Sequence, residues 1–108
     1  MKVEKFVEVL KLFEAYQGCL SEEQFNVLSS FLEQGLMSSE IAENNAVSRQ
    51  AVSKTLKTAI AKLESLENAV KFVEFKANLR KSLDKIEIFL QNEDTKQAVL
   101  EISKLKEL

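Results

Sequence analysis

The stretch Ser39–Leu56 reads SEIAENNAVSRQAVSKTL, two short runs of helix formers separated by an asparagine pair. Ile41 and Ala42 fall on the first run, Val47 between the runs, and Val52 and Leu56 on the second. That apolar spacing is what a helix-turn-helix needs. Ala42 is small where two helices would cross closely, and Val47, Val52 and Leu56 are expected to fill the wedge between them. A hydroxyl cap at Ser38 or Ser39, followed by Glu40 in the dipole-favoured first turn, predicts a short helix ending near Asn44. Asn44-Asn45 supplies the break, because asparagine tolerates the left-handed backbone of a tight helix end. Ser48 is then a good N-cap for a second helix running through Leu63.

At about 100° per residue from Arg49, Ser53, Lys57, Gln50 and Lys54 lie between roughly 40° and 140°, whereas Val52, Leu56, Ala59 and Leu63 cluster between roughly 280° and 340°. One face of the second helix is therefore core and another is polar and basic. Arg49 in the first turn opposes the helix dipole at a cost of a few tenths of a kcal/mol, which an external anion would offset. Arg can reach guanine bidentately and Gln can do the same for adenine. Arg49, Gln50 and Ser53 are assigned to base edges, and Lys54, Lys57, Ser38, Ser39 and Ser48 to backbone phosphates. The alternative reading is a helical corner with an ordinary solvated polar face.

Outside this stretch the sequence is equally helical. Val3, Phe6, Leu10, Phe13 and Tyr16 mark a first helix ending near Gly18, a candidate left-handed stop. Ser21-Glu22-Glu23-Gln24 fits a capping box for a second helix with Phe25, Leu28, Phe31 and Leu32 inward and Gly35 at its end. After Leu66 nothing halts helix formation. A further helix is predicted from about Val70 to Gln91, with Phe72, Phe75 and Phe89 read as core, or else as a dimer seam or helix-binding groove. Asn92–Thr95 reads as loop and cap before a last helix carrying Ala98, Ile102 and Leu105.

Composition narrows the function classes. The chain has 108 residues, no Pro, no Trp, two Gly, one Cys and no His. The length suits one domain, with residues 1–66 as a helix-turn-helix core and 67–108 as a C-terminal helical extension. Without His, and with Cys19 alone, Cys/His zinc clusters and His-dependent triads are excluded. No acid pair suggests catalysis. A non-enzymatic protein without cofactor or metal is expected, with Cys19 as a small buried hydrophobe. The N-terminus lacks an apolar signal segment and no apolar run could insert in a membrane, so a cytoplasmic location is expected. The net charge of −2 hides an asymmetry. Residues 1–47 carry three Lys against eight Glu, whereas Ser48–Leu63 carries Arg49, Lys54, Lys57 and Lys62 and no acid. Lys76, Arg80, Lys81 and Lys85 are interleaved with Glu74, Asp84 and Glu87 and read as solvated surface.

The run LKLFEAYQGCLSEEQFNVLSSFL followed by SEIAENNAVSRQAV resembles the YlxM family of small bacterial proteins, themselves similar to region 4 of sigma factors. The likeness spans about Leu10 to Phe72, and its most specific elements are Leu12-Phe13-x-x-Tyr16 and Leu20-Ser21-x-x-Gln24. It implies an all-α, wingless helix-turn-helix protein of the signal recognition particle pathway, with that particle's RNA or its GTPase as partners. Asn45-Ala46 stands where the family has an apolar residue and glycine, implying a slightly strained corner. Ser53 stands where an aromatic is common, which implies less capacity for stacking on single-stranded bases. Two rivals to an RNA-binding role stay open: a DNA-binding transcription regulator and a protein-interaction module. Residues 66–108 could pack in cis or form a homodimer.

Overall fold

In a computed structural model describing all residues, 1–108, the Ser21 capping box is formed in both directions. The Gln24 amide N–H donates to Ser21 Oγ at 3.2 Å, and the Ser21 N–H donates to Gln24 Oε1 at 3.0 Å. Two otherwise orphaned donors are satisfied, which fixes the start of α2 (Glu22–Leu32). It is preceded by α1 (Val3–Tyr16) and a 3₁₀ turn (Gln17–Cys19), and followed by α3 (Ser38–Asn44), α4 (Arg49–Val70), α5 (Phe72–Gln91) and α6 (Thr95–Lys106). The protein is all-helical, with no strand. No helix is long and apolar enough to cross a membrane.

The chain divides into two compact units, Met1–Lys71 and Phe72–Leu108. In the first, α1, α2 and α3 each pack against α4. Val9, Leu28, Ile41, Ala59 and Leu63 are fully buried there, and Phe13 and Val52 almost so. Each such large side chain contributes about 1.5–3 kcal/mol relative to exposure. Phe13 stacks on Phe25 with centroids 5.5 Å apart, and Phe6 tilts against Phe31 at 6.0 Å, so these aromatics are spent on packing. Tyr16 is buried on the same stripe, and its hydroxyl donates to Glu67 Oε1 at 2.6 Å, tying the end of α1 to the last turns of α4. The second unit is the hairpin of α5 and α6, joined through Asn92–Asp94, with Asp94 capping α6 by accepting from the Gln97 N–H at 3.2 Å.

Several sequence expectations are corrected. Of the two glycines only Gly35 is left-handed (φ 68°). Gly18 lies in the 3₁₀ turn, which needs no positive φ, and the neighbouring Cys19 is exposed rather than buried. The cap of α3 is not a serine: Met37 is the capping position, and its N–H donates to the Glu40 carboxylate at 3.0 Å, leaving Ser38 and Ser39 in the first turn. The corner after α3 turns on Ala46 (φ 54°), while Asn45 keeps φ −100°. The strain implied by the missing family glycine therefore sits at Ala46, at a cost of about 1 kcal/mol. Val47 does not fill the wedge; it is 48% exposed, because the left-handed residue before it swings the chain outward. Helix α4 runs to Val70 and ends with Lys71 in the left-handed region (φ 57°), a stop made by neither Gly nor Pro. Phe72 and Phe75 are 45% and 46% exposed, so they are not core.

Candidate nucleic-acid interface

The wedge of the helix-turn-helix is closed by Val27, Ile41, Ala42 and Val52, with Phe31, Leu36 and the half-buried Leu56 packed around them. This apolar contact sets the angle between α3 and α4. It also holds the first turn of α4 at the protein surface. Ser48 caps that turn, its Oγ accepting from the Ala51 N–H at 3.0 Å. The backbone of the corner is satisfied by the Asn45 N–H on the Ile41 carbonyl and the Val47 N–H on the Ala42 carbonyl, each at 3.0 Å. The start of α4 is thus fixed from both sides.

Ser48, Arg49, Gln50 and Ser53 line a shallow recess of about 550 Å³ together with Ser38 from α3. Arg49 and Gln50 are exposed, Ser38 and Ser53 half-buried. No acid lies in the first turn of α4, so the partial positive charge of the helix start and the Arg49 guanidinium add rather than cancel. Hydroxyl, amide and guanidinium groups around an open helix start form a donor-rich surface suited to an anionic or base-edge ligand. Lys54 and Lys57 are exposed on α4 but do not line the recess, and neither does the half-buried Ser39. The residues assigned to base edges are therefore brought together with Ser38 and Ser48, whereas both lysines stand further along the helix. Because Ser48 Oγ already accepts from Ala51, it has its own hydroxyl hydrogen left to donate.

A second recess, on the other side of the corner, escaped the sequence reading. It is lined by Glu22, Glu23, Asn26, Asn45, Val47 and Thr55 among others, and the Thr55 hydroxyl donates to Glu23 Oε1 at 3.5 Å. The signal was available: a capping box at Ser21 places Glu22 and Glu23 in the first turn of α2, though only the fold sets that turn beside α4. The corner is consequently acidic on one flank and donor-rich on the other.

Comparison with known proteins agrees with this geometry. A family model described as "Putative helix-turn-helix protein, YlxM / p13 like" matches residues 3–105. A UPF0122 protein of Fusobacterium nucleatum is 43% identical over 77% of this chain and 81% of its own length. One of Clostridium acetobutylicum is 33% identical over 94% of each chain, and one of Bacillus mycoides is 32% identical over 95% of this chain and 98% of its own. With the match spanning nearly every residue and reaching into all six helices, the chain belongs to the YlxM/p13-like UPF0122 family of helix-turn-helix proteins.

Proposed function

We propose that this is a non-catalytic, cytoplasmic regulatory protein that binds nucleic acid through the first two turns of α4 and acts in the signal recognition particle pathway. One observation carries the reading: Arg49 and Gln50 stand exposed at an acid-free helix start, on the rim of the recess shared with Ser38, Ser48 and Ser53. In this reading Arg49, Gln50 and Ser53 meet base edges, while Ser38, Ser39, Ser48, Lys54 and Lys57 meet phosphates. The pathway assignment rests on the family resemblance, which favours that particle's RNA, with its GTPase as a protein partner.

The test is fluorescence anisotropy of the full chain against signal recognition particle RNA and random duplex DNA at two salt concentrations, with Arg49→Ala and Lys54→Ala alongside. The expected result is salt-dependent binding to the RNA, with Lys54→Ala lowering the salt slope by about one and Arg49→Ala costing about 1–3 kcal/mol of affinity and relaxing sequence preference. Equal affinity for duplex DNA would move the protein to transcription control. Salt-insensitive capture of the GTPase alone, unaffected by either substitution, would overturn the α4 reading in favour of an interaction module.

A further inference from the structure

We propose that α5 pairs antiparallel with α5 of a second copy of this chain, the two hairpins closing into a four-helix bundle. The hairpin buries little of its own apolar surface. Within it, Ala98 is its one buried apolar residue, and Glu101 is buried beside it. On α5 the half-buried residues Leu79, Ser82, Ile86 and Phe89 recur at three and four, which is the line that meets α6. Beside that line Leu83 and Leu90 remain 52% and 54% exposed, and beside the corresponding line of α6 Ile102 remains 40% exposed. In each helix these residues are rotated by about 60–80° in the same sense from the packing line. In a hairpin, where the two helices run in opposite directions, equal rotations of that kind fall on one face. Exposed apolar side chains of both helices therefore share one side of the hairpin.

Size favours a partner for that surface. The unit is shorter than about 40 residues, a range in which chains are held by disulfides, metals or association. Its residues include no cysteine and no group of His, Cys, Asp or Glu placed to hold a metal. Association is then a route to stability, and an apolar strip on a two-helix hairpin closes on itself by two-fold symmetry.

Charge selects the occupant and its register. Lys76 and Glu87 flank the apolar strip on α5, near its two ends, and neither takes part in an ion pair within the chain. Across a two-fold axis near Lys81–Ser82, Lys76 meets Glu87 of the second copy and Leu79 meets Leu83, with Arg80 and Asp84 facing further out. The same axis generates each pair twice. A parallel arrangement would set Lys76 on Lys76 and Glu87 on Glu87, so it is disfavoured. This inference stands independently of what α4 binds.

Sedimentation velocity on the full chain, from low to high micromolar concentration, tests it. The wild-type chain is expected to dimerise reversibly. Leu83→Glu places a carboxylate in the centre of the strip and should weaken association at least about a hundredfold. K76E and E87K should each weaken it about tenfold, by turning two attractive pairs repulsive. An equimolar mixture of K76E and E87K should recover the wild-type association, because the mixed dimer again carries two opposite-charge pairs. Far-UV circular dichroism of each variant keeps unfolding separate from dissociation. A wild-type chain that stays monomeric across the series, which would give the face to a different partner, overturns the proposal. So does a dimer indifferent to Leu83→Glu, or a mixture that fails to recover.

Discussion

Met1–Lys71 and Phe72–Leu108 are written in the same local language, yet they end in different physical states. Both consist of amphipathic helices, and side-chain caps start α2 and α4 in the first unit (Ser21, Ser48) and α6 in the second (Asp94). Twelve of the thirteen buried apolar residues nonetheless belong to the first unit, and the second contributes Ala98 alone. The difference lies in how many surfaces converge. In the first unit three helices close on α4, so Leu63 and Ala59 are covered from several sides, whereas two helices in a hairpin share one line of contact. Helical periodicity shows which residues want burial; the number of neighbours decides whether they obtain it.

Truncation in each unit should expose this contrast most strongly. Phe13→Ala or Leu28→Ala is expected to cost about 3–5 kcal/mol in urea unfolding, through lost transfer energy and a residual cavity. Leu83→Ala, half-exposed already, should cost less than about 1 kcal/mol when measured at protein concentrations too low for association. Comparable losses in the two units would break the comparison. Next in size is Tyr16→Phe, which removes a hydrogen bond to a carboxylate and should cost about 1.5–2 kcal/mol without disturbing the helicity of the hairpin.

The caps provide a matched pair. Ser21→Ala and Asp94→Ala each remove an N-cap acceptor and should each cost about 1 kcal/mol. The first should lower the cooperative melting of the core, and the second should be read as fraying of α6 by amide hydrogen exchange. The corners provide another pair, with opposite sign. Ala46 and Glu93 both hold positive φ without being glycine, so Ala46→Gly and Glu93→Gly should each raise stability by up to about 1 kcal/mol.

The smallest effect expected is at Lys5. Its hydrogen bond to Glu64 at 3.0 Å holds the ammonium above its ordinary 10.5, and both side chains are partly open to water. A raised folded-state value means that the contribution is complete below 10.5 and is lost as pH rises through the folded value. Lys5→Met should leave melting at neutral pH nearly unchanged and flatten the alkaline limb of the stability profile.

Much of the site was legible because its rules are local. The capping box at Ser21, the cap at Ser48 and the separation of Val52, Ala59 and Leu63 from Arg49, Gln50 and Ser53 follow from hydrogen-bond chemistry and the helical repeat. Three features were not legible, each for a stated reason. The stops at Ala46 and Lys71 use residues with no left-handed preference, so the surrounding packing imposes a backbone that the residue itself resists. The start of α3 at Met37, whose N–H donates to Glu40, depended on how the chain enters the helix rather than on a hydroxyl cap. The acidic recess beside the corner joins residues distant in sequence.

The order of these residues alone determines an all-helical protein with a helix-turn-helix at Ser39–Leu63, and it places Arg49 and Gln50 at the open start of the second helix, because capping and periodicity act over a few residues. Tertiary structure decided the rest. It turned Val47 outward, brought Ser38 to the same recess as Arg49, and left the apolar shoulder of α5 and α6 uncovered. Burial depends on how many helices meet at a point, and that number is a property of the assembled chain rather than of any segment within it.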